Sequence, residues 1–345
     1  MVKRNGTRAK ITDVAKLAGV SMATVSCILK DPDNNRFSDE TNKKVLSAVK
    51  ELNFRPATFA QQMKGKTLPV IGLVIPSLMN HFYPEVTSGF TDQANKLGYN
   101  VIFANTDNSI EREQSFIDTM ISLGVAGVGL CGVDLPDERE KELVKRLINL
   151  GIPVVRLDRY LEEPDCPCVG LDNFRAGYFM TEKIIQLGHR NIGCLAPYEI
   201  VQIVSERCRG YMEAMKAHGL LPKLCKFHRN EFGSIYKALE EAWTGEDRVS
   251  ALFAIGGDID AIECIKCASR LNIQVPFDLS IAGFDDIYIS EIINPSLTTI
   301  KQPKFEIGAT AMRILKSLID GDDVEEEMIL LPFEYIARES VNAIG

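Results

Sequence analysis

Nine cysteines, four histidines and one glycine-rich run are the residues of this chain that could carry metal, redox or nucleotide chemistry. Cys264-Ile265-Lys266-Cys267 has the CxxC spacing of half a zinc or dithiol site, and Cys166-Pro167-Cys168 sets two thiols closer still. A tetrahedral zinc site needs a second pair or a nearby histidine, and neither pair has one in sequence. The odd, scattered set reads as free thiols, and no metal is expected. Gly127-Val128-Gly129-Leu130-Cys131-Gly132 fits GxGxxG. A dinucleotide fingerprint follows the first strand and opens a helix, whereas this run lies in and just after the third strand, with Pro136 close behind. It reads as a buried strand whose small residues sit under helices. Neither a phosphate loop nor a GxSxG nucleophile elbow occurs. No catalytic residue, no cofactor and no enzyme activity are assigned.

The charge distribution points to another chemistry, contact with a polyanion. Residues 1–67 hold 13 Lys and Arg against 6 Asp and Glu, a net of +7, which leaves −15 on the rest of a chain whose formal net charge is −8. A basic head on an acidic body suggests that only the head meets nucleic acid. Two short helices meet there at a turn. Thr12 is the expected N-cap of the first, with Asp13 in its first turn and Val14, Leu17 and Ala18 on one face. Gly19 ends it. Ser21 caps the second, whose inner face is Val25, Ile28 and Leu29 and whose outward residues are Met22, Ala23, Ser26 and Cys27. This helix-turn-helix spacing puts the start of the second helix into a DNA major groove. Ser38 caps a third helix carrying Val45, Ala48, Val49 and Leu52. Pro56 to Gly65 then reads as a helix of about two turns, too short to stand alone. It needs the same helix of a second chain, or DNA; a plain linker is the alternative.

From Leu68 onward apolar strands alternate with amphipathic helices, and the alternation starts afresh near Arg175. This order predicts two doubly wound parallel-sheet lobes with a ligand cleft beyond the carboxyl ends of their strands. No apolar run approaches the roughly 20 residues of a membrane span, and Met1–Asn5 has no signal core. A cytoplasmic protein without a membrane partner is expected. A transporter's solute-binding protein would share the lobes but calls for a signal peptide and no helix-turn-helix.

The order and spacing of many short motifs resemble the LacI/GalR family of bacterial transcription regulators. They include Ile11-Thr12-Asp13-Val14-Ala15, Val20-Ser21-x-x-Thr24-Val25-Ser26, Phe54-Arg55-Pro56, Asn80-His81-Phe82-Tyr83 and Asp158-Arg159. They continue through Asp172-Asn173, Gly188-His189-Arg190, Arg207-x-x-Gly210-Tyr211, Gly283-Phe284-Asp285-Asp286 and Arg338-Glu339-Ser340. The resemblance implies an all-α helix-turn-helix head (residues 1–55) and a hinge helix and linker (56–67). It adds a two-lobe α/β core like a periplasmic binding protein (68–345). The first lobe would hold 68–170 and about 298–329, the second 171–297 and about 330–345. It further implies a homodimeric repressor that binds a palindromic double-stranded operator and answers to a small ligand, a sugar or sugar phosphate by family default.

The same resemblance implies the site residues. DNA contacts fall on Thr12, Ser21, Met22, Ala23, Thr24, Ser26 and Cys27, and on Arg55, Ala60, Met63 and Lys64 around the hinge. Met22 and Ala23 offer bases only apolar contact, Thr24 and Ser26 suit phosphate, and Met63 stands where the family wedges a leucine into the minor groove. Cys27 replaces the arginine of the catabolite-control branch, while Ala57 and Gln61 replace the usual hinge asparagine and arginine, so no operator sequence carries over. Effector contacts fall on Phe82, Tyr83, Asp107, Asp158, Arg159, Arg207, Asp258 and Asp285. Gly257 stands where the family has a sugar-binding asparagine, and Val201 and Ile203 argue against a purine. These losses keep a second reading in play, in which the regulator answers to a phosphorylated carrier protein.

Overall fold

The computed structural model describes residues 9–30, 36–52, 54, 69–133, 138–160, 166–199, 201–229, 231–244, 247–324 and 327–344. The chain divides into two compact units at Leu68/Pro69. The first holds α1 (Ile11–Ala18), α2 (Met22–Lys30) and α3 (Asp39–Glu51). Each start is fixed by a local hydrogen bond. The Asp13 carboxylate accepts from the Lys10 backbone N–H at 2.8 Å, so α1 begins one residue before Thr12, which is an exposed helical residue rather than the cap. Ser21 Oγ accepts from Thr24 N at 3.1 Å, and Ser38 Oγ from Thr41 N at 3.3 Å, the expected caps of α2 and α3. Gly19 ends α1 in the left-handed conformation (φ 70°). The small core joins Val14, Ala15, Ala18, Val25, Ile28, Val45, Ala48 and Phe54. Leu17 is 47% exposed; Ala15 takes the inward place expected for it.

The second unit contains the two lobes. In the first, β1 (Val70–Ile75), β2 (Asn100–Asn105), β3 (Gly127–Leu130), β4 (Val154–Leu157), β5 (Cys168–Leu171) and β11 (Met328–Leu331) form one parallel sheet in the order β11-β5-β4-β3-β1-β2. Helices α4 (Phe82–Lys96) and α12 (Lys304–Asp320) cover one face through Phe90, Met312 and Leu315. Helices α5 (Ile110–Leu123) and α6 (Glu138–Asn149) cover the other through Ile117, Met120, Leu143 and Val144. The second lobe is a four-stranded parallel sheet, β7-β6-β8-β9, of β6 (Ile192–Pro197), β7 (Lys223–Phe227), β8 (Ala251–Ala254) and β9 (Ser280–Ala282). Helices α7 (Asn173–Gln186) and α8 (Gln202–Ala217) lie on one face, and α9 (Ser234–Trp243) and α10 (Asp258–Arg270) on the other. The short helix α11 (Tyr288–Ile292) follows β9.

The return to the first lobe falls later than expected. The strand β10 (Thr299–Lys301) pairs antiparallel with β12 (Glu334–Ile336), and Ile300 is buried in the second lobe's core. The chain therefore leaves the second lobe around Gln302–Pro303, not at 298. The first lobe keeps the chain through Leu331, because β11 pairs with β5. The glycine-rich run is a packing device. A Cβ on Gly127 would lie 2.9 Å from Leu315 of α12, and one on Gly129 would lie 2.9 Å from the Phe90 ring of α4. Cys264 and Cys267 are buried thiols on one face of α10, and no metal-ligating cluster occurs among the described residues. No single described helix is long and apolar enough to cross a membrane.

Candidate effector cavity and DNA-reading helix

A cavity of about 1110 Å³ opens between the two lobes, at the carboxyl ends of both sheets. Asp107 follows β2, Asp158 follows β4, Arg229 follows β7, Gly257 follows β8 and Asp285 follows β9. Three of these carboxylates stand on positive-φ backbone: Asp107 (50°), Asp158 (69°) and Asp285 (119°). Non-glycine residues held there mark positions where the surrounding fold outweighs local strain, and such positions cluster at binding sites.

On the first lobe, Phe82 and Tyr83 open α4 and meet edge to face, with centroids 5.1 Å apart. Both are buried in the wall. The Tyr83 hydroxyl accepts from Arg159 Nη2 at 2.8 Å and makes a long 3.4 Å contact to Asp158 Oδ2. Arg159 Nη1 also reaches the Gly132 carbonyl at 3.3 Å. Asp158 Oδ1 is buried with no hydrogen-bond partner. Burial pushes the Asp158 carboxyl up to about 6, against the pull of the Arg159 and Arg207 guanidiniums. Beneath this turn Arg156 and Glu140 form a buried ion pair at 2.6 Å, and Arg156 Nε donates to the Arg159 carbonyl at 2.9 Å. The pair fixes the backbone that presents Asp158. Asp107 is a rim residue, and its oxygens are already engaged by Arg112 and Asn105.

On the second lobe, Arg207 enters from the first turns of α8. Its Nε donates to Asn173 Oδ1 at 2.8 Å, its Nη1 to the Ile255 carbonyl at 3.1 Å, and its Cζ lies over the Phe284 ring, 3.6 Å from the centroid. That fixed placement leaves Nη2 for the cavity. Burial lowers the Arg207 pKa, and burial raises that of Asp285. Asp285 Oδ1 accepts from Gln302 Nε2 at 2.6 Å, so Oδ2 is its oxygen available to a ligand. Asp258 does not line the cavity. Its Oδ1 accepts from Thr299 at 2.6 Å, and its Oδ2 accepts from Ser290 at 2.7 Å and the Ile287 N–H at 2.9 Å. A buried carboxylate with three donors already bound ties the loops of its own lobe together and has nothing left for a ligand.

In the first unit Met22, Ala23 and Ser26 are exposed along one side of α2, with Thr24 and Cys27 half-buried, while Val25 and Ile28 are fully buried. The Thr24 hydroxyl, an expected phosphate contact, lies 2.9 Å from Oγ of the cap Ser21 at the helix start. Arg55, Ala60, Met63 and Lys64 lie outside the described residues, as does the whole of the expected hinge.

Residues 10–57 match the family described as bacterial regulatory proteins, lacI family, and residues 181–341 match the periplasmic binding protein-like domain. The chain is 33% identical to the HTH-type transcriptional regulator RegA of Clostridium saccharobutylicum, over 96% of its own length and 98% of the relative's. It is 32% identical to the ribose operon repressor of Halalkalibacterium halodurans, over 96% of each chain. The chain belongs to the LacI family. Among solved structures, a LacI-family regulator from Enterococcus faecium with bound ribose superimposes with a TM-score of 0.70 at 26% identity, covering 80% of this chain and 100% of that one.

As a LacI-family member the protein is a DNA-binding transcriptional regulator with a ligand-responsive core. The sequence reading passed over Gln302, Arg229 and Asp260, which line the cavity, and Lys304, which is buried behind it. Gln302 and Lys304 lie on the segment that crosses between the lobes. Lys304 is almost fully buried; its Nζ donates to the Asp285 and Asp286 carbonyls at 2.7 and 2.9 Å and pairs with Glu85 of α4 at 3.2 Å. Arg229 and Asp260 form a second polar group beside the cavity floor. Their signal was weak because Arg229 follows β7, a half-exposed edge strand (Lys-Leu-Cys-Lys-Phe) that the sequence reading did not register as a strand. Asp260, only two residues beyond Asp258, is the carboxylate of this helix start that reaches the cavity.

Proposed function

We propose that this regulator is a homodimeric repressor that binds a palindromic operator and changes its grip when a sugar-like effector occupies the interlobe cavity. One observation carries the effector half of this reading. Three buried or half-buried groups from both lobes, Asp158, Arg207 and Asp285, converge on one cavity with hydrogen-bonding capacity unspent. Carboxylate oxygens that lack donors, beside a guanidinium with a free N–H, suit the vicinal hydroxyls of a sugar. The similarity to a ribose operon repressor and to a ribose-bound regulator supports the same class. A cavity so equipped also favours a small molecule over the carrier-protein reading.

The head would read DNA through Met22, Ala23 and Cys27, with Ser21, Thr24 and Ser26 on phosphate, and residues 57–64 would order on the operator beside their symmetry mate. Closure of the lobes on effector would alter the spacing of the two hinge segments, and the resulting coupling is reciprocal. The test is anisotropy with full-length protein and palindromes taken from promoters beside its gene. Tight, salt-sensitive binding that a sugar from a panel weakens or strengthens is the expected result. Failure to prefer any such palindrome over random duplex contradicts it.

A further inference from the structure

At Gly256 and Gly257 the second-lobe wall of the cavity is backbone, with the side chains of Arg229, Asp260 and Asp285 packed against it. Gly257 adopts φ 137°, a conformation L side chains rarely take, and a Cβ there would sit 2.8 Å from Asp285 Oδ2. A Cβ on Gly256 would collide with Asp260 Oδ2 and lie 2.6 Å from Arg229 Nη2. The two glycines form a backbone shelf on which the Asp260 carboxylate and the Arg229 guanidinium can lie. Its Nη2 donates to the Gly256 carbonyl at 3.0 Å and to Asp260 Oδ2 at 3.3 Å. Asp260 is buried at the start of α10, where burial pushes its carboxyl up to about 6 against the pull of Arg229. The guanidinium is thus tethered through one nitrogen, and its other N–H groups are open to the cavity that Arg229 lines.

We propose that Arg229 and the Gly256–Gly257 shelf form a second subsite, distinct from the Asp158–Arg207–Asp285 cluster, which takes the distal, neutral, oxygen-bearing part of an effector longer than one sugar ring. Three observations determine that chemistry. The cavity, at about 1110 Å³, has room for more than one sugar ring. Arg229 presents donors, so the distal part must present acceptor oxygens. Its charge is neutralised by Asp260, and among the described residues eight carboxylates line the cavity against four guanidiniums. A phosphate would enter a field of its own sign, whereas hydroxyl or glycosidic oxygens carry no such penalty.

This inference rests on the effector reading above, and its test separates the two. Calorimetry with the full-length protein would use D-ribose, D-glucose, cytidine, cellobiose, ribose 5-phosphate and glucose 6-phosphate. The expected result is a neutral two-ring compound bound about tenfold more tightly than its one-ring component, a preference that Arg229→Ala removes while one-ring affinity moves about twofold or less. Thermal unfolding of Arg229→Ala and Arg229→Lys checks that both fold. A single ring bound as tightly as its two-ring partner, a phosphate ester bound more tightly than the neutral sugar, an unchanged preference in Arg229→Ala, or no binding by any of the six each overturns the second subsite. The first of these leaves the sugar effector standing, and sugar-independent operator binding in the anisotropy experiment is what removes it.

Discussion

Asp158 carries the clearest consequence at the scale of single residues. Its folded carboxyl titrates near 6 against an ordinary value of 3.8, so between those values the folded chain holds a proton that the unfolded chain has lost. Stability from this group is therefore lost as pH rises through that window. Asp158→Asn lacks the loss, and its stability relative to wild type should rise by about 2 kcal/mol between pH 4 and pH 7, seen in thermal unfolding without ligand. The same variant should weaken effector binding at pH 7.5, since a carboxylate acceptor becomes an amide. Arg156 behaves in the opposite way. Arg156→Met strands the buried Glu140 carboxylate and should cost about 3–5 kcal/mol, whereas the double variant with Glu140→Leu should recover most of it. Residue types were legible in sequence at Asp158, Arg207 and Asp285 because short motifs surround them. Asp258 carried the same kind of signal, but its three hydrogen bonds come from residues 29 to 41 positions away, which no local pattern reveals.

At the scale of elements, two helix pairs are set by reciprocal glycines. Gly89 of α4 faces the Phe305 carbonyl of α12 while Gly308 faces Val86, and Gly177 of α7 faces the Arg207 carbonyl while Gly210 of α8 faces Phe174. A Cβ at any of the four would overlap backbone, which cannot yield as a side chain can. Gly177→Ala should push α8 away, lower stability by about 1–3 kcal/mol and weaken effector binding, because Arg207 moves with its helix. Wild-type-like unfolding and binding in that variant would remove the close approach from the account. In the first unit, Ser21→Ala should cost about 1 kcal/mol, read as faster amide exchange in α2 of the full chain. Cys27→Arg should shift operator preference if α2 reads bases through that position. The alternation of strands and helices was readable from apolar runs and glycine stops. The edge strand β7 and the late crossing at Gln302–Pro303 were not, because both depend on which distant strand supplies the pairing.

At the scale of the molecule, the basic first unit and the acidic two-lobe unit divide DNA contact from ligand sensing, as the charge split along the sequence already indicated. The crossing segment joins the two lobes chemically as well as by chain. Gln302 holds the cavity residue Asp285, and two residues on Lys304 grips the same loop and Glu85 of the first lobe. Lys304→Met should therefore change the response of operator affinity to sugar more than it changes sugar affinity itself, and an unaltered response would take Lys304 out of the coupling. The central claim is that cavity and operator are linked, and linkage must be equal in both directions. The most direct measurement is a pair of titrations on the full-length protein: sugar affinity with and without saturating operator, and operator affinity with and without saturating sugar. The account predicts the same factor in both, about 5- to 150-fold. A sugar isotherm unchanged by saturating operator would contradict it.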